Sequence, residues 1–167
     1  MRWTLRCFGL FVSLTLLLAS VATPVFAKNP NCSDVGGAIL TNVGGFGQID
    51  GHPTTLGVAT GDLKGAVGVE IKGTNQNVFT VQHHWVTDNG ETLSIDEAQA
   101  AGTFLPNSAL FAITDYRLTL SGGTGRFANA TGELSAIGEI DFSTGHAILR
   151  YSGQVCYGSR EKREGKD

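Results

Sequence analysis

Residues 118–135 read LTLSGGTGRFANATGELS, and this stretch decides the fold. Apolar and polar residues alternate up to its glycines and alternate again after them. Alternation with a period of two is typical of a strand with one buried face, and clustered glycines are typical of a turn. The stretch therefore predicts two β-strands joined by a compact turn.

The glycines of this turn also match GxGxxA, the dinucleotide-binding fingerprint. That fingerprint needs a following helix and a more distant acidic residue within a βαβ unit, whereas another strand follows here. We therefore interpret the turn as structural. Gly122, Gly123 and Gly125 permit positive φ angles, and we expect Phe127 and Ala128 to pack beneath the turn.

Strand patterns and short connections continue along most of the chain. Strands are predicted over residues 36–49 (with a bend or bulge), 63–72, 78–87, 92–95, 109–120, 133–141 and 146–156. Residues 96–101, DEAQAA, are the one helical-looking piece, with Asp96 as a candidate N-cap. Strict alternation within residues 109–120 places Leu110, Ala112 and Tyr116 on one face and Phe111 and Ile113 on the other.

The predicted connections are too short for parallel crossovers, so the strands are antiparallel. Glycines inside strands favour a barrel over a sandwich, because a barrel needs tight bends at its corners. The fold class is therefore predicted as all-β, a single closed antiparallel barrel of about eight strands with little helix.

The first 27 residues have the features of a secretory signal peptide. Arg2 and Arg6 precede an apolar segment over residues 8–21, and Val25-Phe26-Ala27 fits a cleavage site. We expect cleavage after Ala27 and a secreted or periplasmic protein. The predicted domains are the signal peptide (1–27), the barrel (28–157) and a charged, disordered tail (158–167).

The charge of the mature chain argues against two classes of partner. Removal of two arginines leaves 10 basic and 15 acidic residues, a net charge of −5. Nucleic acids and anionic membranes both select basic surfaces, so we expect neither as a partner.

Two cysteines, Cys32 and Cys156, remain after the predicted cleavage. In an exported protein this favours a disulfide, which would close nearly the whole domain. A loop of this length contributes roughly 5 kcal/mol in the chain-entropy model. Asn31 and Asn129 each begin a glycosylation sequon, which is relevant in a eukaryotic host.

The segment GGTGRFANATGEL resembles the GGTGxFxxAxG signature of allene oxide cyclase-like and dirigent-like proteins. The resemblance implies an eight-stranded antiparallel barrel with an apolar lumen, a homotrimer and no cofactor. Dirigent proteins guide the coupling of phenoxy radicals, and allene oxide cyclases close an unstable fatty-acid epoxide. No catalytic residue of either family aligns with this chain, and a shared fold does not transfer a reaction.

The inward faces of the predicted strands supply the candidate ligand-binding residues: Phe79, His83, Trp85, Tyr116 and Tyr151. The polar tips of His83, Tyr116 and Tyr151 suit a carbonyl or hydroxyl group. His83 is also a candidate acid–base, since an imidazole titrates near neutral pH. The alternative is that these side chains belong to the core and are satisfied by packing and hydrogen bonds.

Other chemistry is poorly supported by the residue patterns. His83 and His84 are adjacent and therefore point to opposite faces of a strand, and no HExxH motif or cysteine pair accompanies them. Glu139 and Asp141 share a face, which fits a solvated strand face better than a catalytic pair. We expect neither a metal nor a cofactor.

Two functions remain open at this point. The first is an exported barrel that binds a small apolar or aromatic molecule, or that serves as a stable secreted module without catalysis. The second is a cofactor-free cyclase or a dirigent-type guide of a reactive apolar intermediate. They differ in whether the lumen is open, because a barrel packed to its axis has no room for a substrate.

Overall fold

The structure, a computed structural model, describes residues 31–158. The predicted signal peptide and residues 159–167 of the predicted tail lie outside the described residues. The strands are β1 (Cys32–Ile49), β2 (His52–Ala59), β3 (Gly65–Asn75), β4 (Val78–Thr87), β5 (Thr92–Ile95), β6 (Ala98–Phe104), β7 (Leu110–Gly123), β8 (Thr131–Asp141) and β9 (His146–Cys156). Short 3-10 helices span Gly61–Leu63 and Gly125–Phe127. Within this part of the chain, no helix has the length and apolar character needed to cross a membrane.

The strands close into a ring in which every pairing is antiparallel. β1 pairs with both β2 and β9, and the ring continues through β3, β4, β7 and β8. β5 pairs with the end of β4 and β6 with its start, and both also pair with β7. They are thus two segments of one strand position, interrupted at residues 96–97. The predicted closed antiparallel barrel of eight strands is confirmed.

The glycine turn between β7 and β8 is held against the preceding β4–β5 turn. Gly125 has a φ of 58°, and a Cβ atom there would overlap the Glu91 side chain. The Glu91 carboxylate accepts a hydrogen bond from the Arg126 backbone N–H at 2.8 Å and contacts its guanidinium at 3.2 Å. Phe127 is fully buried beneath the turn, whereas Ala128 is exposed. The motif therefore fixes how two turns at one end of the barrel pack together.

Two strand predictions require correction. β2 was not among the predicted strands, because its outward residues Leu56 and Val58 are about half exposed while Thr55 faces inward. Its apolar pattern is thus the reverse of an ordinary half-buried strand. Residues 98–104 form β6 rather than a helix, because this segment supplies the backbone hydrogen bonds that β4 and β7 need to close the ring.

The predicted faces of β7 are correct only beyond Thr114. The register of β7 against β6 and β8 shifts by one residue between Ile113 and Arg117. Such a bulge reverses the alternation, because one strand gains a residue without a partner. Phe111 and Ile113 therefore point inward with Tyr116, whereas the simple alternation placed them on the opposite face.

The predicted disulfide joins the first and last strands of the barrel. Cys32 and Cys156 are direct partners in the register of β1 against β9. The bond therefore lies across the seam where the ring closes, at the same end as the glycine turn. It covalently fixes the pairing whose partners are furthest apart in sequence, which is the pairing with the largest entropic cost of closure.

Candidate functional site

One end of the barrel is sealed by a hydrogen-bonded group of side chains, here called the plug, made of Leu63, Trp85 and Tyr151. All three are at most 1% exposed. The Trp85 indole N–H donates to the Leu63 carbonyl at 2.8 Å. The Tyr151 hydroxyl accepts from the Leu63 backbone N–H at 3.0 Å and donates to the Thr60 carbonyl at 2.8 Å. The two aromatic rings meet edge to face, and the buried plug fills the lumen at this end.

Above the plug the barrel contains a cavity of about 70 Å³, measured as the space open to the centre of a water molecule. Its walls are mostly aliphatic and aromatic and come from every strand position of the ring. The lining residues are Ile39, Thr41, Thr55, Val67, Val69, Ile71, Phe79, Val81, His83, Ala100, Ile113, Tyr116, Ile140, Phe142, Ala147 and Leu149. Side chains thus fill the barrel to its axis at the plug, whereas the other end contains the cavity.

Phenylalanines surround one side of the open end, here called the mouth. Phe79 lies edge to face on Phe111 with ring centroids 5.3 Å apart, and it stacks on Phe142 at 6.3 Å. Phe104 contacts Phe111 at 5.0 Å and Phe142 at 5.7 Å. Phe142 both lines the cavity and is 41% exposed. A molecule entering the lumen therefore passes an aromatic surface.

The main polar feature of the cavity is the contact between His83 and Tyr116. The Tyr116 hydroxyl lies 2.6 Å from His83 Nε2, and both residues are buried. Burial, with a smaller effect of neighbouring His84, lowers the pKa of His83 to about 4. Burial also raises the pKa of Tyr116 well above its ordinary value. Both side chains are therefore neutral at pH 7.

This pair has hydrogen-bonding capacity left over whichever way its shared proton points. His83 Nδ1 is buried and has no hydrogen-bond partner among the described residues. If Tyr116 donates to Nε2, then Nδ1 carries a free N–H; if Nε2 carries the hydrogen, then the Tyr116 O–H is free. In either tautomer the pair offers one unused donor, which suits a carbonyl or hydroxyl oxygen.

A second polar group in the cavity was not predicted. Thr55 is 5% exposed, and its buried hydroxyl likewise has no hydrogen-bond partner among the described residues. Thr41 lines the cavity on the neighbouring strand. The signal that could have found Thr55 was a run of threonines between two turns, but it required recognising β2 first.

The predicted site residues separate into two groups. Phe79, His83 and Tyr116 line the cavity together. Trp85 and Tyr151 belong to the plug, where backbone groups already occupy their polar atoms. The aromatic residues Phe104 and Phe142 are not among the predicted site residues, because Phe104 follows the predicted helical segment and Phe142 lies between a predicted strand and its turn.

The remaining histidines and paired carboxylates lie outside the lumen. His52 Nδ1 is 2.8 Å from Glu70 Oε1, and His84 Nε2 is 3.7 Å from Glu70 Oε2. No group of three or more potential metal ligands is suitably arranged within residues 31–158. Asp141 accepts hydrogen bonds from Ser143 in the β8–β9 turn, and these bonds lower the pKa of its carboxyl.

No protein-family model and no curated protein matches the sequence. Among solved structures, the chain is similar to two pterocarpan synthase dirigent proteins. For one, the identity is 17% and the TM-score 0.49, with 76% of this chain and 91% of that chain covered. For the other, the values are 14% and 0.35, with 80% and 99% covered. The strand order of this chain is itself that of a closed eight-stranded antiparallel barrel, the architecture implied by the resemblance to dirigent-like and allene oxide cyclase-like proteins.

Proposed function

We propose that the protein binds a small, neutral and largely apolar molecule inside its lumen, without a cofactor. The observation that carries this proposal is the buried His83–Tyr116 pair, which keeps an unused hydrogen-bond donor on two residues that line an apolar cavity. A buried polar group without a partner costs free energy, and a ligand oxygen at that position removes the cost. The aliphatic walls supply the rest of the affinity.

The chemistry of the walls restricts the ligand to a neutral molecule. No lysine or arginine is among the lining residues, so a carboxylate or phosphate would lose its hydration without a compensating charge. An aromatic ring also fits the mouth, where Phe79 and Phe142 present ring faces and edges. The ligand class is therefore an apolar or aromatic molecule with a carbonyl or hydroxyl group.

The test uses 4-ethylphenol as the probe, with ethylbenzene as its isosteric partner lacking the hydroxyl. Isothermal titration calorimetry should show binding of 4-ethylphenol that Tyr116→Phe weakens about two- to tenfold, the range expected for one net hydrogen bond. Tyr151→Phe is the matched control, because it removes a buried tyrosine hydroxyl from the plug rather than from the cavity. Absence of binding to the unmodified protein, or equal weakening by both variants, would overturn the proposal. Mass spectrometry of molecules that co-purify with the mature protein would identify the natural ligand.

A second candidate function is a cofactor-free guide or cyclase for a reactive apolar intermediate. It is favoured by the neutral imidazole of His83, which can accept a proton in a cavity closed on one side. One-electron oxidation of 4-ethylphenol by laccase and oxygen gives phenoxy radicals. Their ortho–para coupling, followed by addition of the phenol hydroxyl to the dienone, gives a chiral tricyclic ketone whose enantiomers are separable by chiral chromatography. A guide should produce an enantiomeric excess that Tyr116→Phe or His83→Phe abolishes without loss of folding. Racemic dimers with the unmodified protein would exclude radical guidance.

We further propose that the protein acts outside the cytoplasm after cleavage following Ala27. The Cys32–Cys156 disulfide is compatible with an oxidising compartment. N-terminal sequencing of the exported protein should begin at Lys28. A homotrimer is the assembly implied by the family resemblance, and analytical ultracentrifugation tests it. The net charge of −5 on the mature chain argues against nucleic-acid and anionic-membrane partners.

A further inference from the structure

We infer that the lumen recognises a ligand with two polar groups, held at one end by the His83–Tyr116 pair and at the other by the Thr55 hydroxyl. This inference rests on the proposed function and extends it from one anchoring group to two. Thr55 and His83 lie on different strands, β2 and β4, and both residues line the same cavity.

The register of the sheet fixes how the two anchors are placed. Thr55 on β2 and His83 on β4 are both direct partners of Val69 on β3. Adjacent strands are about 4.8 Å apart, so the two Cα atoms are separated by roughly 10 Å. Inward side chains of a barrel converge, which brings the polar tips closer than that. A ligand joining them lies flat across Val69, with its length near that of one substituted ring.

Thr55 differs from an ordinary core residue, because its buried hydroxyl has no hydrogen-bond partner among the described residues. Valine has nearly the same shape as threonine and would bury the same surface without a polar atom. A buried hydroxyl without a partner instead costs about 1–3 kcal/mol. The cost falls on both Thr55 Oγ1 and His83 Nδ1, and both atoms belong to residues that line one cavity. A ligand with an oxygen at each end relieves both at once.

The two anchors differ in the ligand groups with which they can form a hydrogen bond. The His83–Tyr116 pair has one unused donor in either tautomer, so it requires an acceptor on the ligand. The Thr55 hydroxyl is both donor and acceptor and takes either kind of group. Hydroxyl or carbonyl groups at both ends of a flat apolar body therefore satisfy the site, whereas a simple hydrocarbon satisfies neither anchor.

The experiment compares 4-ethylphenol with 4-(hydroxymethyl)phenol, which replaces the terminal methyl by a hydroxyl of similar size. Both are titrated calorimetrically into the full mature protein, into Thr55→Val and into Thr41→Val. Thr41→Val is the matched control, since it makes the same change of hydroxyl to methyl in the same cavity at a position that neither anchor occupies. Thermal melting verifies that each variant remains folded.

We expect the unmodified protein to bind 4-(hydroxymethyl)phenol about two- to tenfold more tightly than 4-ethylphenol. Thr55→Val should remove or reverse this preference, while Thr41→Val keeps it. If 4-ethylphenol binds but the second hydroxyl brings no gain, or if Thr55→Val weakens both ligands equally, the two-anchor inference is wrong and the proposed function stands. If neither phenol binds to the unmodified protein, the proposed function itself fails.

Discussion

Acid should lower the free energy of unfolding of this protein, because His83 is buried in its neutral form. Burial lowers the pKa of His83 from its ordinary 6.5 to about 4 in the folded state. Between these two values the unfolded chain binds more protons than the folded protein, so the free energy of unfolding falls as the pH falls. The contribution of neutral His83 to the free energy of unfolding is complete above pH 6.5 and is lost progressively as the pH falls to about 4. At about 1.4 kcal/mol per pH unit, the total loss is about 3 kcal/mol.

The matched comparison is the double variant His83→Phe/Tyr116→Phe, which replaces the whole pair by apolar rings. Removing both partners leaves no orphaned polar atom, so its stability at pH 7 should lie near that of the unmodified protein. Urea unfolding at several pH values from 7 to 4 gives both stability profiles, and their difference cancels the effect of all other titrating groups. The double variant should gain about 3 kcal/mol relative to the unmodified protein across this range. Parallel profiles would show that His83 titrates normally and is not buried as described.

Three further predictions concern the sealed end of the barrel. Replacing Cys32 and Cys156 by alanine should lower the free energy of unfolding by up to about 5 kcal/mol relative to the oxidised parent protein, measured by urea unfolding; a change under about 1 kcal/mol would contradict a seam closed by the bond. Gly125→Ala should cost about 2 kcal/mol, since the new Cβ displaces the Glu91 carboxylate that accepts from the Arg126 backbone N–H. Gly90→Ala, also at positive φ but with open space around it, should cost about 1 kcal/mol. Equal costs in urea unfolding would refute the turn-to-turn contact. Trp85→Phe should lower the free energy of unfolding by roughly 2–4 kcal/mol, because it removes a buried hydrogen bond and side-chain volume. Calorimetry should show unchanged binding of 4-ethylphenol. Lost binding in a folded variant would place Trp85 in the cavity.

The parts of the fold that the sequence predicted well are those where apolar residues face the lumen. β4 alternates Phe79, Val81, His83 and Trp85 with polar residues, and its predicted bounds agree with the structure. The same rule failed for β2, whose inward positions carry Thr55 and small residues while leucine and valine point outward.

The candidate site was predictable as a set of residue types but not as an arrangement. Alternation brings aromatic residues inward, yet it carries no information about depth along the barrel axis. Tyr116 and Tyr151 have the same sequence signature, and only the tertiary structure places one in the cavity and the other in the plug. The bulge near Thr114 was equally hidden, because a one-residue shift in register depends on the partner strands.

The plug fills one end of the lumen, so a ligand can exchange only through the mouth. This geometry determines the kinetics of ligand exchange. A molecule that enters between the phenylalanines of the mouth must leave by the same opening. A second ligand molecule therefore cannot enter at the plug and displace the first. Occupancy is therefore sequential, and each molecule passes Phe142 when it enters and when it leaves. An increase in competitor concentration should leave the dissociation rate of a bound probe unchanged, as a single-portal container requires.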